Sequence, residues 1–238
     1  MVLYARKSFL DLLGKEFSWL EKKDFDQLNG KPPPETPGSE MISFWPEPVW
    51  KHEMLNAGAM KVTQLNPRPN SAKGFACECL ARLGWEPDSN WLEKPYLGDR
   101  WKRGDRTLWI HPGSGSSSKN PPLDYFLQRA ADWVKEGSNR RIVFSFGEAD
   151  ARILTKWSKC RLASEPYSET ITPITPLSLK KSLEKKADLF LGNDSGPGHL
   201  AANLGIPVEI CFLHTDPKVW SPHGPRIFCR RLGEEQFV

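Results

Sequence analysis

From Thr107 onward, short apolar runs alternate with segments of helical period, and this alternation constrains the fold more than any other feature of the sequence. The runs at 107–111, 141–146, 189–192 and 208–212 are short and nearly continuous in apolar character, which reads as buried strand. Residues 122–135, 149–159, 177–186 and 198–204 read as helices between them. Strand and helix in repetition imply right-handed crossovers and a parallel sheet. In such sheets ligands bind beyond the carboxyl ends of the strands. Two glycine-rich loops fall at such ends, so the pattern predicts that they converge on one crevice.

The first loop is Gly113-Ser114-Gly115-Ser116-Ser117-Ser118-Lys119. Its glycines allow sharp turns and close approach of backbone to a ligand. Hydroxyls and free amides before a helix suit an anion, and Lys119 adds a full positive charge. It is not the GxxxxGK[ST] phosphate loop, because no Ser or Thr follows the lysine. Taken alone, a flexible Gly/Ser turn explains it equally well.

The second loop opens the stretch 193–207 and reads Asn193-Asp194-Ser195-Gly196-Pro197-Gly198-His199, leading into Leu-Ala-Ala-Asn-Leu-Gly-Ile-Pro. Pro197 suits the first turn of a helix, where a missing amide costs nothing. Gly198 removes side-chain bulk, and Ala201 and Ala202 let the helix pack closely on the sheet. His199 is expected to face the crevice. A structural histidine and a helix-capping Asp194 are the plain alternatives for those two residues taken singly. Their joint order with Ser, Gly and Pro favours the anion-binding reading.

The amino-terminal part is less regular. Apolar residues at 9, 10, 12, 13, 17 and 20 recur at helical spacing and predict an amphipathic helix over 5–20. Residues 30–38, with four prolines, are a loop. Residues 41–45 and 61–65 are expected strands, the former buried. Residues 71–83 read as a helix capped by Ser71 and stopped by Gly84. Residues 86–106 are polar with little periodic signal. A linker is placed at 91–106, between domains over 1–90 and 107–238.

Several classes are disfavoured by composition. No apolar run approaches the roughly 20 residues that span a bilayer, and the amino terminus lacks the features of a signal peptide, so a cytoplasmic protein is expected. The five cysteines form no CxxC pair, which predicts no zinc site and suits a reducing compartment. The only Asp-x-Asp, Asp24-Phe25-Asp26, lies far from both loops and reads as solvated charge, so no metal site is expected. A net charge of +4 is too mild and too dispersed to argue for nucleic acid. The ten tryptophans read as packing residues.

The pattern Asp-Ser-Gly-Pro-x-His-Leu-Ala-Ala-x-Leu-Gly-x-Pro, continuing to Thr215-Asp216-Pro217 and Trp220-Ser221-Pro222, resembles glycosyltransferase family 9, the ADP-heptose:lipopolysaccharide heptosyltransferases. His111-Pro112-Gly113-Ser114-Gly115, with Lys119 and Pro122, resembles that family's first donor-binding loop. Gly147-Glu148-Ala149-Asp150 resembles the turn that holds the nucleoside, with either Glu148 or Asp150 on the ribose. The resemblance covers residues 107–226. It implies an α/β, GT-B-like fold: a Rossmann-like carboxyl-terminal nucleotide-binding domain on a parallel sheet, plus a reduced amino-terminal α/β domain.

The resemblance further implies a metal-independent transferase that uses a nucleoside-diphosphate sugar, ADP-heptose by family preference, as donor substrate and needs no cofactor. Donor-binding residues would be Ser114, Gly115, Ser116, Lys119, Asp194, Ser195, Gly196, Gly198 and His199, with Gly147, Glu148 and Asp150 at the nucleoside. The partner would be an anionic glycan or lipid-linked acceptor, with peripheral contact at the inner membrane face. Arg6, Lys7, Lys15, Lys22 and Lys23 would suit such an acceptor, although a solvated helix face explains them as simply.

The family's opening Gly-Asp loop, which carries its base, has no match in the expected place. Gly98-Asp99 and Gly104-Asp105 fall in the linker. The chain is therefore expected to begin after the first strand and helix of the usual domain and to lack room for the family's last helix, and Leu213-His214 stand where Gly-Pro is usual. No catalytic residue is assigned. The alternative to a transferase is a catalytically silent nucleotide-sugar-binding homologue or truncated product acting as a binding or regulatory protein. A nicotinamide-dependent enzyme lacks its GxGxxG.

Overall fold

The central strands after residue 106 form because consecutive apolar residues satisfy two hydrophobic faces at once. In the computed structural model, which describes residues 1–68, 74–86, 88–98 and 106–233, β5 spans Thr107–His111, β6 Arg141–Ser145, β7 Ser168–Ile171, β8 Leu189–Asn193, β9 Val208–Phe212 and β10 Ile227–Arg231. They pair in parallel in the order β10-β9-β8-β5-β6-β7. Trp109, Val143, Phe190, Val208 and Ile210 face one core, with Leu183, Leu200, Ala201 and Ala202. Leu108, Ile110, Ile142, Phe144, Leu191 and Cys211 face the other, with Phe126, Ala130 and Trp157. The side-chain period of two thus produces a sheet covered on both faces.

The helices come from segments that carry one apolar stripe. α5 (Leu123–Lys135) and α6 (Ala151–Trp157) cover the second core, and α7 (Pro176–Lys186) and α8 (Gly196–Asn203) the first. α9 (Pro217–Trp220) is short and is capped by Asp216, whose carboxylate accepts from the Lys218 amide. Gly198 sits close under β9: a Cβ there would lie 2.6 Å from Ile210 Cδ1, so any other residue makes the end of that buried side chain shift.

The first part of the chain differs from expectation. Residues 5–20 do not form one helix. Val2–Ala5 is strand β1, Lys7–Leu10 a single helical turn, α1, and Lys15–Phe17 a 3-10 turn beginning after Gly14. β1 pairs in parallel with β2 (Glu21–Asp24), which ties the start of the segment into a strand pair. β3 (Glu40–Ser43) pairs in parallel with β4 (Lys61–Gln64) across α2 (Pro48–Asn56). The expected buried strand at 41–45 is partly exposed: Ile42, Phe44 and Trp45 are open to solvent. α3 spans Phe75–Arg82 after Gly74, and α4 spans Ser89–Leu92. The proposed cap Ser71 lies outside the described residues, as do Asp99, Gly104 and Asp105.

Candidate nucleotide-binding site

The sheet order sets the position of the site. From β5 the chain moves outward through β6 to β7, then returns to β8 beside β5 and moves the other way to β10. The order reverses between β5 and β8, and a parallel sheet opens a crevice at the carboxyl ends of such a pair. The two loops singled out in the sequence leave those two strands. They do converge.

Their junction is built from side chains. Asn193, fully buried at the end of β8, donates from Nδ2 to Pro112 O at 2.7 Å and Asn120 Oδ1 at 3.0 Å. Ser114 Oγ donates in the same corner, lying 2.7 Å from Ser116 O and 2.6 Å from Asn120 Oδ1. Lys119 Nζ donates to Asp194 Oδ2 at 2.8 Å, and Thr215 Oγ1 donates to the same oxygen at 2.8 Å. Asp194 is 7% exposed, while the Lys119 side chain keeps 34% of its surface. Asp194 is therefore not a helix cap. Its carboxylate fixes one of the three N–H donors of the ammonium and leaves the lysine accessible.

His199 sits beside this pair. Burial pushes its imidazole below the ordinary value, with Asp194 pulling the other way and His223 and Lys119 adding to the drop. The Gly198 amide donates back to Ser195 O at 3.1 Å and the His199 amide to the same oxygen at 3.4 Å. Those two amides are spent within the turn. Ser195 and Gly196 open α8.

A cavity of about 370 Å3 adjoins these loops. Its lining includes Ser114, Gly115, Ser195 and Gly196 from the two loops and Gly147, Glu148 and Asp150 after β6. The same lining takes Thr175 and Leu179 from the start of α7 and Phe9 and Leu12 from the amino-terminal segment. Ten of the twelve residues expected at the site thus divide into a cavity wall and an adjacent ion pair with its histidine. Of the other two, Ser116 is exposed, its hydroxyl 2.8 Å from that of Ser118, and Gly198 is buried against Ile210.

Glu148 and Asp150 stand in different environments. Asp150 is 3% exposed, accepts from the Gly147 amide at 2.7 Å and lies 3.5 Å from His111 Nε2. Its other oxygen, Oδ1, is buried without a partner. A Cβ on Gly113 would lie 1.9 Å from that oxygen, so the glycine is what allows the first loop to cross the carboxylate. Glu148 is exposed. His111 Nδ1 lies 2.9 Å from Ser145 Oγ, which accepts from Trp109 Nε1 at 2.8 Å. Burial holds the His111 imidazole below its usual value, against the pull of Asp150. A neutral ring accepting from Ser145 at Nδ1 turns Nε2–H toward Asp150 Oδ2, while Asp150 Oδ1 stays without a partner among the described residues. Ser145 is fully buried, so this Ser-His-Asp line braces the loops and is not a nucleophile.

Several positioning residues were missed by sequence reasoning. Asn193, Ser145 and Thr215 act through partners 21 to 81 positions away, which no local pattern encodes, and Asn120 joins Asn193, 73 positions away, to Ser114, six away. Thr215 and His111 stood within the quoted motifs without a role. Asp24 of the lone Asp-x-Asp caps a 3-10 turn by accepting from the Asp26 amide. Three of the basic residues of the first part have partners. Lys7 pairs with Asp11, Lys22 donates to Leu13 O, and Lys23 pairs with Glu21 and Glu35. Among the described residues no cluster of three or more His, Cys, Asp or Glu is placed to hold a metal, and no helix is long and apolar enough to cross a membrane.

Comparison with known proteins gives the same frame. The glycosyl transferase family 9 structure from Veillonella parvula DSM 2008 is 15% identical, with a TM-score of 0.65, and the match covers 99% of this chain and 77% of that one. E. coli heptosyltransferase WaaC with ADP is 13% identical, with a TM-score of 0.63, covering 96% of this chain and 82% of that one. The iron-containing dodecameric glycosyltransferase TibC from enterotoxigenic E. coli H10407 is 14% identical, with a TM-score of 0.58, covering 97% and 55%. Likeness at these identities shows the fold, a GT-B-like α/β architecture. No curated protein sequence matches the chain. The model of glycosyltransferase family 9 (heptosyltransferase) matches residues 85–237, more than half of the 238 residues. The chain therefore belongs to glycosyltransferase family 9.

Proposed function

We propose that this chain binds a nucleoside-diphosphate sugar, ADP-heptose by family preference, and transfers its sugar without a metal to a lipopolysaccharide-type or other glycan acceptor. The observation that carries the reading is the meeting of the two loops at the β5–β8 switch point, with Lys119 held by Asp194 at its edge. When the bond between the sugar and the β-phosphate oxygen breaks, negative charge builds on the leaving diphosphate. The Lys119 ammonium and the backbone amides that open α8 at Ser195 and Gly196 are fixed donors for that charge. Glu148, exposed on the cavity wall, is the carboxylate we assign to a ribose hydroxyl, because Asp150, which also lines the cavity, is 3% exposed and has one oxygen held by the Gly147 amide. An anionic, lipid-linked acceptor and a place at the cytoplasmic face of the inner membrane belong to the same reading.

Titration with ADP tests it. We expect micromolar to millimolar binding that weakens about tenfold or more in Lys119→Ala, the scale of one charge-assisted contact. No binding of ADP or UDP at millimolar concentration overturns the reading.

One observation favours a second reading, that of a nucleotide-sugar-binding protein that does not transfer. Among the described residues, the amino-terminal ones lining the cavity are Phe9 and Leu12, neither of which can take a proton, and the lining carboxylates, Glu148 and Asp150, both stand on the donor side. Transfer, or hydrolysis of ADP-heptose above background, would eliminate this alternative.

A further inference from the structure

The cavity lining changes character between its two parts. Around the loops it is polar: Ser114, Ser195 and Glu148, with the open glycines 115 and 196. The part supplied by α1 and by the entry to α7 is apolar, comprising Phe9, Leu12, Pro173, Ile174, Pro176 and Leu179. One side-chain hydroxyl stands in that stretch, Thr175, and its oxygen caps α7 by accepting from the Ser178 amide at 3.1 Å. Ser178 Oγ closes the box by accepting from the Thr175 amide at 3.0 Å. Among the described residues, no amide, carboxylate, guanidinium or ammonium side chain of the lining lies in this stretch to read the edge of a base.

The apolar part is also shared between distant segments. Leu12 O accepts from Lys180 Nζ at 3.2 Å, which pins the end of the α1 turn to α7. Lys22 holds the same turn from the other side through Leu13 O at 2.6 Å. Phe9 is half exposed and Leu12 partly buried, so the pair forms a rim that a flat ligand would cover.

We infer that Phe9 and Leu12 form one wall of a nucleobase slot whose other wall is 173–179, and that the slot holds the base by its face without reading its edge. The inference rests on the nucleotide-binding reading above and adds two claims to it. The amino-terminal segment contributes directly to nucleotide affinity, and selection among purines is weak. Apolar and aromatic contact tolerates any base, because every base has a flat π-face, whereas strong discrimination needs buried polar groups that a wrong base leaves unpaired.

The experiment is a set of calorimetric titrations of ADP, GDP and inorganic diphosphate into the wild-type chain, Phe9→Ala and Leu12→Ala. ADP and GDP are expected to bind the wild type within about tenfold of each other. Phe9→Ala should weaken both about fivefold or more, on the scale of one lost base contact. Diphosphate should bind wild type and variant alike, which also shows that the variant is folded. A GDP affinity more than about a hundredfold below that of ADP overturns the inference, because it requires edge readout. Unchanged ADP binding in both variants overturns it too, while leaving the nucleotide-binding reading standing. If neither nucleotide nor diphosphate binds the wild type, both fall together.

Discussion

Asn193 and Asp194, adjacent at the end of β8, divide the work of the second loop. Asn193 points into the fold and ties its loop to Pro112 and Asn120, while Asp194 reaches Lys119 and Thr215. Both loops are thereby set before a ligand arrives, so less ordering opposes binding. The same burial that fixes the corner also fixes its protonation. His111, His199 and His223 all have imidazoles pushed down by burial from the ordinary 6.5. In the unfolded chain those rings take up protons as pH falls through about 6.5, while the folded rings resist until lower pH. Their contribution is therefore complete above that value and is lost on the acid side. Melting temperature is expected to drop between about pH 7.5 and pH 5.5, and to drop less in His111→Asn whatever its stability at neutral pH. Equal drops would show that His111 does not carry the effect. The motif residues were legible in the sequence because a strand-to-helix turn needs Gly, Pro and small residues at fixed local spacing. Their partners were not, because Asn120 and Thr215 meet β8 only after the sheet has assembled.

At the scale of elements, burial decides what a sequence discloses. β5, β6, β8 and β9 are covered on both faces, so their residues are nearly all apolar and stand out as runs. β7 reads Ser-Glu-Thr-Ile and β10 Ile-Phe-Cys-Arg-Arg, since each has only one neighbour and keeps part of its surface in water, and neither was foreseen. The apolar spacing over 5–20 mimics a helix, yet of the residues that set it only Leu10 is buried; Leu12, Leu13, Phe17 and Leu20 are partly buried and Phe9 is exposed, around one helical turn and a 3-10 turn. Within β9 a single polar residue joins three elements. Glu209, 8% exposed, accepts from Arg129 of α5 and from Arg230 of β10. Removing it strands two guanidinium groups, but both keep more than a third of their surface in water, so solvent takes up part of the loss. Glu209→Ala is expected to destabilise the chain by about 2 kcal/mol in urea unfolding, and Glu209→Gln by about half of that. A change below a few tenths of a kcal/mol in Glu209→Ala would mean the arginines find equal partners elsewhere.

Over the whole molecule, order flows from the six-stranded sheet toward the amino-terminal segment. β1–β2 and β3–β4 are two-stranded pairs, and a pair of that size is marginal in water without something to pack on. The apolar cluster between β3, β4 and α2 is small: Met54, Ala59 and Val62, with Met41 and Trp50 against them. What steadies it is attachment. Phe75 of α3 stacks between Phe44 and Trp220, with centroids 5.8 and 5.7 Å apart, and Trp220 in turn packs on the core of the large sheet. The Leu97 amide donates to Asn203 O at 2.9 Å, and Lys180 holds Leu12 O. Each stacked pair contributes about 1 kcal/mol beyond its buried area. Trp220→Ala therefore removes one stacking partner and the bridge to the core in a single step. Hydrogen exchange should report the consequence locally: amides of β3, β4 and α3 should lose protection, while those of β5, β8 and β9 keep theirs. Uniformly faster exchange across the chain would instead mean that the two parts unfold as one unit. Undisturbed α3 would mean that the backbone and lysine ties suffice without the aromatic stack.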